Sequence, residues 1–367
     1  MTRFYCVLIS LLFALVSKSY AQDTTVAASP KLEVSAYLDI YYLYDFNLAK
    51  DKFERPYFVS SNRHNEFSIN LAYIGLKYET ENWRTKFQMG VGTYMNANYA
   101  SESTTLKHIV EANAGVRLSK KHNIWLDAGV FSSPITNETQ VSKDQWCYTR
   151  SFAPENVPYY LSGTRLSIPI NSKLTWNSYI VNGWQLINDN NYGLSAISQL
   201  EYKPNAQTLI NWNIWAGDES SPQKPNYRTR FFSDVYVVYQ SGKKWSWSSC
   251  LYAGLQQAKD SSGFSKKMAW YNANIQTKYA LTERVNVSGR IEYFGDRQAV
   301  LVGSVANSLE GFESFSETLG INCAMNDKVL IRFEGRYFHS PRAVFLDTKN
   351  VASSNGFMLS TSIGVGF

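Results

Sequence analysis

Apolar and polar residues change places at every second position along most of this chain. In the first such segment Val34, Ala36, Leu38, Ile40, Tyr42 and Tyr44 share one face; Ser35, Tyr37, Asp39, Tyr41 and Asp45 share the other, with Leu43 the exception. Trp83, Thr85, Phe87, Met89 and Val91 alternate with Arg84, Lys86, Gln88, Gly90 and Gly92. Val110, Ala112, Ala114, Val116 and Leu118 alternate with Glu111, Asn113, Gly115 and Arg117. Later, Val285, Val287, Gly289, Ile291 and Tyr293 oppose Asn286, Ser288, Arg290 and Glu292, and Val329, Ile331, Phe333, Gly335 and Tyr337 oppose Arg332, Glu334 and Arg336. Period two over so many residues predicts strands with one apolar and one wet face.

About 16 such segments follow one another, near 33–47, 66–79, 83–94, 107–118, 123–132, 158–168, 173–184, 193–203, 206–217, 228–240, 245–256, 267–281, 284–295, 312–324, 328–339 and 355–367, each about as long as a tilted membrane strand. A soluble sandwich also alternates, so the connections discriminate better. Short ones near 79–82, 119–123, 169–173, 203–206, 241–244, 281–283 and 325–328 take turns with long ones near 48–65, 94–106, 132–157, 185–192, 218–227, 257–266, 296–311 and 340–354. Short turns at one end and long loops at the other are what a bacterial outer-membrane barrel shows. The expected fold is all-β: a single transmembrane antiparallel β-barrel of about 16 strands, with short periplasmic turns and long extracellular loops. The last segment ends Phe357, Leu359, Thr361, Ile363, Val365, Phe367 on one face. A terminal Phe on such a strand resembles the signal read by the barrel-assembly machinery, although an edge strand of a soluble sheet would also fit.

The N-terminus reads as a secretory signal peptide over 1–21: Arg3, an apolar run Phe4–Val16, and the small-x-small site Ser19-Tyr20-Ala21. The run, about 13 residues, is too short to span a bilayer as a helix. Cys6 lacks the small residues that precede a lipoprotein cysteine. A short periplasmic segment, 22–32, would follow, and 33–367 would form the barrel as one domain. That segment is too short to plug a lumen. Without Arg3 and Lys18 the 36 basic residues become 34 against 30 acids, a net charge of +4, scattered and too mild for a nucleic-acid footprint. Cys147, Cys250 and Cys323 are odd in number and unpatterned, which offers no disulfide framework and no metal spacing.

The 25 Tyr, 20 Phe and 10 Trp are the strongest compositional bias. Tyr and Trp gather at both interfaces of a membrane barrel whose lumen stays polar, so a mean hydropathy of −0.29 does not argue against membrane residence.

Several strings resemble the β-barrel porin-2 family of Bacteroidota-type outer membranes. They are Tyr37-Leu38-Asp39 through Tyr44-Asp45-Phe46-Asn47, N-R-H-N-E-F at Asn62 to Phe67, G-T-Y-x-x-A-N-Y-A at Gly92 to Ala100, V-E-A-N-A-G-V-R-L at Val110 to Leu118 and W-L-D-A-G-V-F at Trp125 to Phe131. K-D-Q-W at Lys143 to Trp146, T-R-S at Thr149 to Ser151 and N-G-W-Q at Asn182 to Gln185 continue the order; beyond Tyr202 the match thins. The resemblance implies an outer-membrane barrel and passage of small solutes, and no catalytic residue.

The wet faces supply the candidate pore lining: Arg84, Lys86, Glu111, Arg117, Asp127, Arg165, Arg290, Glu292, Arg332, Glu334 and Arg336. On the lipid face each charge would cost roughly 2–4 kcal/mol at the midplane, which assigns them inward. A cross-strand ion-pair network that merely fills the lumen explains them as well as a selectivity filter does; both signs occur, with a slight lean to anions. The longest loop, 132–157, carries Lys143, Asp144, Trp146, Tyr148 and Arg150; it either folds inward as a constriction, by similarity to porins, or shields the surface.

His64, His108, His122 and His339 sit in different connections or at strand ends, without convergent metal or triad partners. Gly90-x-Gly92 lies within a strand, so a nucleotide reading fails on context. Asn137-Glu138-Thr139 and Asn286-Val287-Ser288 fit a glycosylation pattern that means little in a bacterium. Three functions compete: a passive diffusion channel for small hydrophilic solutes or ions; an adhesin or surface-binding barrel with a blocked lumen; and a rim enzyme such as a phospholipase, for which only Ser103 and His108 share a region. Expected partners are outer-membrane lipid and lipopolysaccharide, the assembly machinery, small solutes and a possible homotrimer; no cofactor or nucleic acid is expected.

Overall fold

Where the sequence alternates, the chain is extended, and the strands pair in chain order. A computed structural model describes residues 31–367 apart from Tyr192, Lys243, Ser261, Phe264, Ser308 and Leu309. The expected leader, 1–21, and most of segment 22–32 lie outside the described residues; Lys31 and Leu32 already belong to the first strand. The strands are β1 (Lys31–Asp45), β2 (Phe67–Glu79), β3 (Trp83–Val91), β4 (Ile109–Ser119), β5 (Ile124–Ser132), β6 (Tyr160–Pro169), β7 (Leu174–Val181), β8 (Ser195–Asn205) and β9 (Thr208–Asp218). The second half holds β10 (Tyr227–Gln240), β11 (Trp245–Lys259), β12 (Ser265–Ala280), β13 (Val285–Asp296), β14 (Phe312–Ala324), β15 (Val329–His339) and β18 (Asn355–Gly366). Two-residue strands β16 (Phe345–Leu346) and β17 (Ala352–Ser353) pair with each other inside the last long loop. Helices α1 (Thr93–Asn98) and α2 (Phe152–Glu155) are single turns in the second and third long loops.

The sixteen long strands form one closed antiparallel barrel. Closure is made by β1 and β18, from Tyr37 opposite Gly366 to Asp45 opposite Met358, so no strand edge is left to lipid. The connections alternate in length as expected, with one difference: β11 and β12 outrun their apolar pattern, so the sixth long loop shrinks to 260–264.

The apolar face points outward. Ile74, Leu76, Phe87, Val116, Leu251, Ile291 and Leu319 are each about half exposed or more, as lipid-facing side chains are in a protein without its bilayer. Aromatic rings mark both ends of this face, with Trp83, Tyr202, Trp245 and Tyr279 by the short turns and Tyr44, Phe67, Phe315 and Tyr337 by the long loops. Hydroxyl residues on the outer face have a reason. The indole N–H groups of Trp176 and Trp212 donate to Ser198 Oγ and Ser233 Oγ on the next strand, both at 3.0 Å, and that of Trp245 donates to Thr277. In hydrocarbon those donors would otherwise be orphaned.

Two positions depart from the alternation, and both departures come from bulges. Asn70 is skipped in the β1–β2 register and Val110 in the β3–β4 register. Each bulge turns an extra residue inward, so Val110, expected on the lipid face, is buried at 1% exposure against Leu71, Tyr94 and Met95. Leu43 obeys the period after all: it points inward and is buried in the lumen.

Candidate channel interior

The third long loop, 133–159, does fold into the lumen, crossing it from β5 to the far wall. Pro134 presents its carbonyl to Asn213 Nδ2 at 3.1 Å on β9 and to Tyr236 Oη at 3.4 Å on β10. Thr136 N donates to Asp234 on β10, and Asn137 Nδ2 to Ser248 on β11 and Asn274 on β12. Ser142 Oγ then donates to Asp39 on β1, at 2.8 Å. The loop thus lies against the wall from β9 round to β1.

β15 holds it most firmly. Period two puts Arg332, Glu334 and Arg336 on one face at roughly 7 Å intervals, and each meets a successive piece of loop. Arg332 donates to the carbonyls of Lys143, Gln145 and Cys147 at 3.2, 2.7 and 3.2 Å. Glu334 accepts from the backbone N–H groups of Tyr148 and Thr149 and from the Thr149 hydroxyl. Arg336 donates to Arg150 O at 2.9 Å. On β13, Arg290 donates to Thr149 O at 2.6 Å and Glu292 accepts from Phe152 N at 2.6 Å. Glu138, Arg290, Glu292 and Arg336 also form a chain of ion pairs with no exposed side-chain surface. Buried charges of this kind must be paired or fully bonded to be tolerated, and here the loop backbone completes the set.

The candidate lining therefore divides. Arg290, Glu292, Arg332, Glu334 and Arg336 lie beneath the loop at 4% exposure or less. Arg84, Lys86, Glu111, Arg117, Asp127 and Arg165 are brought together on the opposite wall, β3 to β6. Asp127, fully buried, takes Arg84 through both carboxylate oxygens at 2.8 and 2.7 Å, and Arg165 at 3.1 and 3.0 Å. Lys86 pairs with Glu111 at 3.1 Å. Arg84 and Arg117 both rest on the Trp125 ring, 4.3 and 4.7 Å from its centroid. Two adjoining cavities of about 330 and 490 Å³ open beside this wall and share Glu79, Arg84, Ser132 and Arg165.

Of the loop candidates, Asp144 is exposed and Lys143 half-buried. Trp146, Tyr148 and Arg150 are buried. Arg150 braces the loop itself, donating to the carbonyls of Thr139, Gln140 and Tyr148. Sequence reasoning missed the residues that receive the loop, Asp39, Asn213, Asp234 and Asn274, and it missed Glu155, which accepts from Val59 N at 2.6 Å and ties this loop to the first one. Burial pushes the Glu155 carboxyl up to about 7, against the pull of those donated hydrogen bonds.

Toward the long loops the lumen is apolar. Phe131, Leu161, Val181, Ile197, Trp215, Phe232, Trp270, Phe294, Phe338 and Met358 point inward from ten different strands at 3% exposure or less. Phe58, Ile135, Phe152 and Val157 from the first and third loops fill the space between them. On the cationic side Gln140 Nε2 donates to Ser132 Oγ, and that hydroxyl donates to Glu111. Ser103 and His108 share no hydrogen bond: Ser103 Oγ accepts from Leu106 N, and His108 Nδ1 lies 3.2 Å from Gly90 O.

The sequence model of the family "Putative beta-barrel porin-2, OmpL-like" matches residues 31–367. The chain belongs to that porin family. This porin is an outer-membrane barrel for passive diffusion of small hydrophilic solutes. Solved structures share its fold at low identity. An anion-selective porin from Comamonas acidovorans superposes at TM-score 0.61 and 8% identity, over 92% of this porin and 100% of that chain. The outer membrane channel DcaP of Acinetobacter baumannii superposes at 0.61 and 7%, over 92% and 97%. OmpT of Vibrio cholerae in its trimer form superposes at 0.59 and 8%, over 93% and 100%. A search among curated proteins found no match. Family and fold both point to a channel rather than an enzyme.

Proposed function

We propose that solutes pass along the β3–β9 side of the lumen, that anions are preferred, and that the loop 133–159 governs the outer entrance. One observation carries the preference: among the described residues Arg84, Arg117 and Arg165 have one carboxylate, Asp127, set against them, whereas the other carboxylates at the cavities, Glu79, Glu111 and Glu201, are each paired with a lysine. Fixed charge of one sign along a low-dielectric wall concentrates counter-ions there. The barrel does no catalysis on this reading. It assembles as a homotrimer, as the trimer form of OmpT suggests by fold, sits among outer-membrane lipid and lipopolysaccharide, and presents Phe367 to the assembly machinery.

The apolar outer half of the lumen favours a second reading, in which the barrel is closed and its loops bind a surface partner. Planar-bilayer recording under a KCl gradient separates the two. The expected result is steady conductance with a reversal potential on the chloride side, moving toward zero in Arg84→Gln/Arg165→Gln. Folded protein that never conducts supports the closed surface binder, and a cation-side reversal potential overturns the anion preference.

A further inference from the structure

One cation in the larger cavity is not neutralised. Among the described residues the guanidinium of Arg117 makes no ion pair and no hydrogen bond, and its Nε is buried without a partner. Its contact is the Trp125 ring. Arg84 and Arg165 beside it divide one carboxylate between them, so this wall carries a surplus of two positive charges. The same wall changes in kind as it continues through β6, β7 and β8. Ser167, Asn177 and Gln199 follow Trp125 in register and, with Thr175, line the cavity with hydroxyls and amides, and Glu201, paired with Lys203 at 2.7 Å, closes its far side.

We propose that this cavity is a binding site for a small hydroxylated monocarboxylate, of the sugar-acid class. The inference rests on the porin reading and names the solute that pauses in the channel. A carboxylate matches the planar fork of Arg117, which has donors to spare. The volume, about 490 Å³, is that of a site for an organic molecule rather than for a bare inorganic anion. Hydroxyls on the body meet the Ser, Thr, Asn and Gln side chains on the adjoining strands. Glu201 and Glu79 at the margins place negative charge where a second carboxylate would lie, which selects against diacids.

The test is calorimetric titration of the folded, detergent-solubilised barrel with gluconate, glucose and glucarate in turn. Gluconate is expected to saturate in the millimolar range, glucose to show no saturation, and glucarate to bind at least threefold more weakly than gluconate. Arg117→Gln is expected to weaken gluconate at least tenfold, with Arg117→Lys recovering part of that loss. Because the Arg117 side chain makes no hydrogen bond or ion pair among the described residues, both variants are expected to keep heat-modifiable gel mobility. If gluconate and glucose titrate alike, or Arg117→Gln binds as the parent does, the proposal is overturned. Conductance without gluconate binding removes this site and leaves the porin reading; binding without conductance removes the porin reading and leaves the site.

Discussion

Arg332→Met isolates the clamp that holds the third loop in the lumen. The guanidinium is 3% exposed and has no carboxylate in contact; its partners are three loop carbonyls at 2.7–3.2 Å. Hydrogen bonds to a charged donor contribute about 1.5–3 kcal/mol each, so the three together are worth roughly 5–9 kcal/mol before costs. Against this stands the desolvation of an arginine without an opposite charge, several kcal/mol that Met avoids. Met also fills the same volume, so no cavity opens. The balance is a loss of about 3 kcal/mol in loop docking, and at 1.4 kcal/mol per decade the undocked population rises by about two orders of magnitude.

The loop carries its own reporter. Cys147 is fully buried beside the clamp, and burial pushes its thiol up to about 12, so the docked loop resists maleimide twice over, by access and by lack of thiolate. In a Cys250→Ser/Cys323→Ser background, maleimide labelling of Cys147 in folded barrels should therefore quicken about 100-fold on Arg332→Met. Bilayer recordings should show a matching rise in open probability. Labelling at the parental rate, in protein that still runs as a folded barrel, would refute the clamp. If Arg332→Met fails to insert, Arg332→Lys keeps the charge, loses the fork, and should give an intermediate rate.

Two further outcomes follow from the same contacts. Glu155 has its carboxyl raised from 4.5 to about 7 in the docked loop; a raised acid stabilises the docked state fully below about 4.5 and ceases to do so as pH passes 7, so conductance should climb between about pH 4.5 and 7 and level off above, and Glu155→Gln should flatten that rise, a flat parental profile being the contrary result. Gly129 stands at φ +128° with the space for a Cβ only 2.1 Å from Ala112 O; Gly129→Ala should cost at least ~3 kcal/mol through strain and displaced backbone, seen as a lower urea midpoint for heat-modifiable mobility, and an unchanged midpoint would contradict it.

The strands were legible because a barrel wall separates two solvents at every residue, and period two is the direct imprint of that. Bulges left no such imprint: whether Val110 is skipped depends on its pairing with β3, not on its own neighbours. The fate of the inward charges was illegible for a related reason. Alternation places Arg332, Glu334 and Arg336 on the inner face, but the loop residues that cover them lie more than 180 positions away, and no local pattern distinguishes a charge facing water from one facing a folded loop. One signal did exist and was open to misreading. Phe231-Phe232, Tyr293-Phe294 and Tyr337-Phe338 are aromatic doublets at the long-loop ends of their strands. Where successive residues face opposite sides, a doublet sends one ring to the membrane interface and the other into the lumen. Phe231 and Tyr337 are exposed while Phe232, Phe294 and Phe338 are at 3% or less. A lumen filled with water has no use for the second ring. Such doublets on three strands, all at one end, already require an apolar plug at that end, and the loop long enough to supply most of it is 133–159.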